Sequence, residues 1–441
     1  MLKIKGQINE THIEANDLIK SIEETIFIHG SIYKIRIMSN FSFVLLRTKR
    51  DIIQCIYSKD FSKFPLEELK ENMNVIIEGH VIKEERSKVG YEVRIIDFKK
   101  LSESNEEYPV VINNKEVDVS LNNLLNYRVI TLKNPKERAI FKIQEGICKG
   151  VREFLNENNF TEIHSPKIVF SGAEGGANIF KLDYFGKEAY LTQSPQFYKQ
   201  MMVGVFERVY EIAPVFRAEK HDTNRHVNEY TSVDLEIGFI ESFYDIMEIE
   251  TKMLKYTFDL LKKQYPNEIK LLNVNIPNFN EIPCIKFLEA KDLISKTYNR
   301  PITDFYDFEP EEEKLLCDII KKETESEFVF VTHYLSEKRP FYAKDSEENK
   351  ELTNSFDLLF RGIEVTTGGQ RIHDYEEQVL KMKEKGMNVE LFESFLMAHK
   401  YGLPPHGGLG LGLERLTMML LGFNNVRRTT LFPRDTIRLE P

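Results

Sequence analysis

The chain has 441 residues, with 60 Lys and Arg against 70 Asp and Glu for a net charge of −10, 41% hydrophobic and 29% charged. That length holds roughly two to four domains with substantial cores, and the composition excludes a disordered or fibrous chain. Cys55, Cys148, Cys284 and Cys317 lie far apart with no CxxC pair, which speaks against a disulfide framework or structural zinc, and no apolar window approaches the ~18 residues of a membrane span, so a cytoplasmic protein without a membrane partner is expected.

From residue 25 to 100, β-branched and aromatic residues recur in five short runs: 27–37, 41–46, 52–57, 74–82 and 91–98. A helical stretch, 65–72, separates the third from the fourth. This pattern predicts a five-stranded OB-fold β-barrel, whose open face binds oligonucleotides; an SH3-like or purely structural barrel would read the same way. Residues 1–100 hold 17 Lys and Arg against 15 Asp and Glu, a charge of +2, so the rest of the chain carries the acidity. A polyanion can bind a locally neutral or basic face of an acidic protein.

Residues 102–132 mix Glu, Asn and Ser with short apolar patches, as a connector does. Pro135 then suits the first position of a long amphipathic helix, with Ile140, Ile143, Ile147, Val151 and Leu155 at helical spacing. Beyond it, extended segments at 188–192, 209–216, 226–236, 328–332 and 356–367 are interrupted by helical ones at 244–264, 375–385 and 390–401. Strands in neighbouring pairs with helices between them predict an antiparallel β-sheet flanked by helices, an α+β domain of about 300 residues and not a Rossmann alternation.

Two segments carry chemistry. In Val215-Phe216-Arg217-Ala218-Glu219, followed by a polar loop to Arg225 and then His226-Val227-Asn228-Glu229-Tyr230, two strands and their loop put several cations at one end of a hairpin. An Arg in a strand is costly to bury unless it meets an anion, and its fork matches phosphate oxygens; an Arg217–Glu219 pair on an exposed strand is the plainer alternative. In Pro404-Pro405-His406-Gly407-Gly408-Leu409-Gly410-Leu411-Gly412-Leu413-Glu414-Arg415, glycines at 408, 410 and 412 clear one strand face for a flat group, with Arg415 opening a helix over 416–421. Glycines needed only by a crowded sheet would look the same. The spacing is GxGxG, a poor match to a dinucleotide fingerprint.

Phe216-Arg217-x-Glu219 with a downstream His226 and aromatic Tyr230, and the later Gly-x-Gly-x-Gly-x-Glu414-Arg415, resemble motifs 2 and 3 of class II aminoacyl-tRNA synthetases; Pro166 matches the proline of their dimer-forming motif 1. The resemblance spans the chain, because an N-terminal OB domain marks the subclass of aspartyl, asparaginyl and lysyl enzymes. It implies residues 1–101 as an OB-fold anticodon-binding domain, 102–133 as a hinge, and 134–441 as a class II synthetase catalytic domain. It also implies a homodimer acting on tRNA and not DNA.

Thr192-Gln193-Ser194-Pro195-Gln196-Phe197-Tyr198-Lys199 is similar to a signature of the aspartyl-tRNA synthetases of archaeal and eukaryotic type. An aspartate side chain is an anion and needs fixed cations, which Lys199 and Arg371 can supply; a solvated Lys199 and an Arg371–Asp374 bridge are the alternatives. By the same resemblance, Asp357, Glu364 and Thr367 lie on the metal and substrate strand, with two carboxylates suited to Mg²⁺ shared with ATP phosphates or simply forming a surface pair. Ser171 to Gly176 resembles the loop that closes over the amino acid, where Glu174, like Asp234, could attract the substrate ammonium; a surface loop would have the same composition.

The activity so implied joins L-aspartate to ATP and passes the product to tRNA(Asp), with no catalytic nucleophile; an enzyme that also charges the asparagine tRNA, or a non-catalytic RNA-binding paralogue, is the alternative. Arg217 would hold the α-phosphate and the substrate carboxylate, and Arg415 the γ-phosphate of a bent ATP, assisted by Arg225 and His226. Tyr230 and Arg415 would sandwich adenine, Glu219 accept from its amino group, and Gly412, Glu414 and Glu364 complete the ATP site. Gln196, Lys199, Asp234, Thr367 and Arg371 would line the amino-acid pocket. In the barrel, Phe43, Gln54 and Glu92 stand where eukaryotic-type relatives contact anticodon bases, with Phe43 as barrel core the alternative.

Overall fold

The computed structural model describes residues 15–49, 51–85, 87, 89–170, 178–220 and 223–440. Glu174 and residues 171–177 around it therefore lie outside the described residues. The chain forms two compact units, Met1–Val119 and Ser120–Pro441, and their boundary falls inside the stretch read as a connector. No helix among the described residues is long and apolar enough to cross a membrane.

The first unit is a closed barrel of β1 (Thr25–Ile37), β2 (Ser42–Arg47), β3 (Ile52–Tyr57), β4 (Asn74–Lys83) and β5 (Tyr91–Ser102) in the order β1-β2-β3-β5-β4. Alternation drives it: Val44 and Leu46 on β2, Ile53 and Cys55 on β3, Val75 and Ile77 on β4, and Val93 and Ile95 on β5 all point into one core. The helix expected at 65–72 is only a 3₁₀ turn, Leu66–Glu68. Leu69 leaves it in an extended conformation and is buried in the barrel core, and Asn72 takes a left-handed φ of 69°, so core packing overrides the local helical preference.

The second unit is built on an eight-stranded sheet. Its strands are β6 (Thr161–Glu162), β10 (Arg208–Phe216), β11 (Glu229–Gly238), β12 (Cys284–Lys286), β13 (Phe328–Thr332), β14 (Ser355–Phe360), β15 (Ile363–Gln370) and β16 (His406–Gly412). A small sheet is formed by β7 (Ile168–Val169), β8 (Lys181–Tyr184) and β9 (Lys187–Leu191). The large sheet runs β12-β13-β14-β15-β16-β11-β10-β6, antiparallel except for the edge pairs β12/β13 and β10/β6. The extended segment expected at 356–367 is in fact a hairpin. Its turn is Arg361-Gly362, both at positive φ (51° and 92°), which suits the right-handed twist of β14 and β15.

One sheet face is covered by the helices Pro135–Glu157 and Tyr244–Gln264. The expected apolar stripe is buried throughout, and from Ile143 to Leu155 it shares one core with the second helix and with Val233, Leu235, Leu409 and Leu411 of β11 and β16. Gly150 sets the approach of the two helices, since a Cβ there would lie 2.8 Å from the backbone Cα of Thr257. The opposite face receives the alternate residues of the same strands: Tyr230, Ser232, Asp234 and Glu236 of β11, and Gly408, Gly410 and Gly412 of β16.

Glu250 is an anomaly in the covered face. It is fully buried on the helix Tyr244–Gln264 with neither carboxylate oxygen hydrogen-bonded, and burial, opposed only by the neighbouring Thr366 hydroxyl, pushes its carboxyl up to about 8. The folded state thus holds a proton that the unfolded chain releases near pH 4.5. The stability that goes with it is complete below that pH and is lost, at about 1.4 kcal/mol per pH unit, as pH rises toward 8. Glu250→Gln is therefore expected to flatten the fall in urea midpoint between pH 6 and 9. Parallel profiles for the two proteins would refute a neutral Glu250.

Candidate active site

A cleft with about 1080 Å³ of space, its mouth included, opens on the uncovered face of the sheet. Among its lining residues are Gln196, Lys199, Arg217, Glu219, Arg225, His226, Tyr230, Asp234, Glu364, Thr367, Arg371, Gly412, Glu414 and Arg415, so residues from four distant segments meet in one place. Asp357 stands directly across the β14/β15 ladder from Thr367.

The inner end is a buried charge network. Lys199 Nζ, 2% exposed, donates to Asp234 Oδ1 at 2.9 Å and to the Leu409 carbonyl at 2.8 Å, and lies 3.4 Å from Glu236 Oε2. Arg371 donates from Nε and Nη2 to the two oxygens of Glu236, at 2.8 and 3.3 Å, with its guanidinium 5.4 Å from the Tyr342 ring. Neither alternative for these cations holds, because Lys199 is not solvated and the partner of Arg371 is Glu236. Burial alone would push the Glu236 carboxyl up, yet Arg371 and Lys199 hold it below the usual carboxylate range. Two cations thus balance two anions. The open acceptor Asp234 Oδ2 and the open donor Gln196 Nε2 have no protein partner.

The glycines of β16 divide by function. A Cβ at Gly408 would come 2.1 Å from the Leu235 carbonyl and 2.2 Å from Glu236 Oε2, so this glycine is demanded by the sheet and by the buried carboxylate. At Gly410 it would come 3.2 Å from Asp234 Oδ1, and at Gly412 it would meet only the Arg415 side chain at 3.8 Å. The crowded-sheet explanation holds at 408, whereas 410 and 412 keep a flat floor open in the cleft.

Toward the mouth, Arg217 leaves the end of β10 with its backbone held by Asn228, 4.0 Å from Glu219 and 5.9 Å from the Tyr230 ring. The Arg217–Glu219 pair is thus present only at the outer limit of an ion pair. His226 Nε2 lies 3.8 Å from the same carboxylate. Arg415, inside the helix Leu413–Leu421 and not ahead of it, reaches Glu364 at 4.0 Å and donates to the Glu364 carbonyl at 3.2 Å. Both oxygens of Glu414 accept from the Thr231 backbone N–H at 3.0 Å, tying motif 3 to β11, and burial pushes this carboxyl up to about 7.

A bulge at Val365, where β15 carries one residue more than β14, turns Glu364 to the same face as Thr367; the Thr367 hydroxyl donates to Glu364 at 2.7 Å. Asp357 accepts from Arg339 Nη2 at 2.8 Å, and that guanidinium stacks 3.9 Å from the Tyr334 ring centroid. Burial raises the Asp357 carboxyl to about 6 despite Arg339, and Glu364 adds to the rise. Asp357 Oδ1 is buried without a partner. No group of three or more His, Cys, Asp or Glu able to hold a metal occurs among the described residues. Two carboxylates, one with an open oxygen, plus a hydroxyl nevertheless fit Mg²⁺, which takes one or two carboxylates and completes its shell with water and phosphate.

Glu236, Arg339, Tyr342 and Glu313, a carboxylate that pairs with Arg225, stand at the site without having been expected there. Glu236 was legible, because Tyr230, Ser232, Asp234 and Glu236 alternate with Val233, Leu235 and Ile237. Nothing local marks the other three. In the barrel, Phe43, Gln54 and Glu92 occupy outward positions on the neighbouring strands β2, β3 and β5, while Val44, Cys55 and Val93 fill the core; Phe43 is therefore not core, and its ring packs edge-on to Phe41 at 5.0 Å.

An antiparallel sheet with a helix-backed face, an arginine from a strand end and a second from a glycine-led helix defines a class II synthetase. The matching family is described as tRNA synthetases class II (D, K and N), over residues 120–436, and the chain belongs to this family. The aspartate–tRNA(Asp/Asn) ligase of Deinococcus radiodurans is 43% identical over 95% of this chain and 96% of its own. The aspartate–tRNA(Asp) ligase of Pyrococcus furiosus is 37% identical over 93% and 95%. A solved structure of asparaginyl-tRNA synthetase from Pyrococcus horikoshii with asparaginyl-adenylate aligns with a TM-score of 0.90 at 28% identity, covering 98% of this chain and 99% of that one. Within the family the chain groups by sequence with the aspartate–tRNA ligases.

Proposed function

We infer that the protein is an aspartate–tRNA ligase that activates L-aspartate with ATP to aspartyl-adenylate and esterifies the 3′-terminal adenosine of tRNA(Asp). The observation that carries this reading is the joining, in one cleft, of the buried Lys199–Glu236–Arg371 network to the guanidinium groups of Arg217, Arg225 and Arg415. The aspartate β-carboxylate would engage Lys199 and Arg371, and its ammonium the open oxygen of Asp234, with Gln196 at the edge. Arg217 would bridge the α-carboxylate and α-phosphate. Arg225, His226 and Arg415 would hold the outer phosphates, while Tyr230 and Gly412 accept the adenine and Glu219 its amino group. Mg²⁺, held by Asp357, Glu364 and Thr367, would neutralise phosphate charge. The attack of a carboxylate on phosphorus needs no protein nucleophile, so positioning and charge stabilisation supply the rate.

Pyrophosphate exchange measured with each of the twenty amino acids tests the reading, and exchange driven by any amino acid better than aspartate would end it. The same preparation should charge a tRNA(Asp) transcript. Charging of tRNA(Asn) as well would place it with relatives such as the Deinococcus enzyme, whose name covers both tRNAs. In the barrel, Phe43→Ala is expected to lower tRNA charging about tenfold or more while exchange stays unchanged, because base stacking on an aromatic ring contributes about 1–3 kcal/mol. Equal losses in both assays would assign Phe43 to folding. We place the enzyme in the cytoplasm as a homodimer, a state that Pro166 and the exposed Ile168 and Phe170 beside it support.

A further inference from the structure

Glu313 is an anion at the cation-rich end of the cleft that adenylate formation does not use. It lies in the first turn of the helix Pro310–Thr324, and its carboxylate accepts a hydrogen bond from Arg225 Nη2, with side chains only 13% and 22% exposed. The loop carrying Arg225 is anchored from elsewhere. Arg427 donates to the Thr223 carbonyl at 3.0 Å, Val426 to the Asn224 carbonyl at 2.9 Å, and Arg415 to the Arg225 carbonyl at 3.4 Å. The backbone at 223–225 is thus fixed by the C-terminal segment, and Arg225 reaches out from it to the helix. Glu219 and Glu364 meet their cations only at 3.8 to 4.0 Å, whereas Glu313 and Arg225 form a hydrogen-bonded ion pair.

We propose that Glu313 is an internal stand-in for a nucleotide phosphate, holding Arg225 in the nucleotide-free enzyme and yielding it to ATP. This rests on the reading of Arg225 as a phosphate ligand. A guanidinium exchanges a carboxylate for a phosphate with the same fork geometry, so the pair holds the Arg225 side chain in place and offsets its repulsion toward neighbouring cations. The energy of the pair is subtracted from ATP affinity. Burial, which pushes the Glu313 carboxyl up to about 7 even beside Arg225, favours its neutral form once Arg225 departs, so the vacated group does not repel the triphosphate.

The test is ATP KM in pyrophosphate exchange, with ATP binding by calorimetry alongside, for Glu313→Gln, Glu313→Ala, Arg225→Ala and the Arg225→Ala/Glu313→Gln double variant. Both Glu313 variants are expected to lower ATP KM and Kd about five- to tenfold with kcat within about twofold, the size of one ordinary net hydrogen bond in a partly exposed pair. Arg225→Ala should raise KM, and Glu313→Gln should add less than about a twofold change in that background. If Arg225→Ala leaves ATP affinity unchanged, the phosphate-ligand reading fails and the stand-in with it. If Arg225→Ala weakens ATP but the Glu313 variants do not tighten it, Arg225 binds phosphate and the stand-in alone is overturned. An equal gain in both backgrounds also overturns it, since Glu313 would then act as a general repulsive charge.

Discussion

Replacing Arg217 by alanine is expected to reduce aspartate-dependent pyrophosphate exchange by about 10²- to 10³-fold or more with little change in melting temperature. The two effects separate because of where the residue sits. Its backbone is fixed by Asn228 at the end of β10, while its side chain is 36% exposed and lies 4.0 Å from Glu219. Losing an exposed ion pair costs about 0–1 kcal/mol, and no buried carboxylate is left alone. Charge that develops on the α-phosphate would, by contrast, lose a preorganised guanidinium that water cannot replace. Exchange close to that of the unmodified protein would remove Arg217 from the reaction, and a large drop in melting temperature would make it a structural residue.

Lys199→Met is expected to fail on both counts. Lys199 is 2% exposed and neutralises Asp234 and Glu236, themselves 4% and 0% exposed, so its removal leaves two buried carboxylates with only Arg371 between them. Breaking a buried pair by removing one partner costs roughly 3–5 kcal/mol, which urea unfolding would register. The pocket for a dicarboxylic substrate would also change from balanced to negative, raising the KM for aspartate by roughly 100-fold or more in whatever fraction remains folded. A stable variant with ordinary aspartate KM would show that the network serves neither purpose. The segment from Asn354 to Arg371 would then need a different reading.

Much of the architecture was legible because its causes are local. Alternation placed the five barrel strands within a few residues, and the spacing from Ile140 to Leu155 gave the long helix and its buried face. The helices Phe287–Tyr298 and Pro310–Thr324 were passed over. They cover the β13–β14 end of the sheet through Phe287, Leu316 and Ile320, and the second carries Glu313 in an acidic run that reads as solvated surface. The helix expected at 65–72 was lost to the pull of Leu69 into the barrel.

Local pattern was enough to name most of the residue types at the site and the face that a strand such as β11 turns to it, because side-chain direction along an element follows from the period of its backbone. Packing of distant segments sets the partners: Glu236 for Arg371 across 135 residues, Asp234 for Lys199, Arg339 for Asp357, and Glu313 for Arg225. It also sets the bulge at Val365 that turns Glu364 and Thr367 to one side. Such pairings depend on which strands become neighbours, and periodicity says how a strand faces its sheet but nothing about which strand lies beside it.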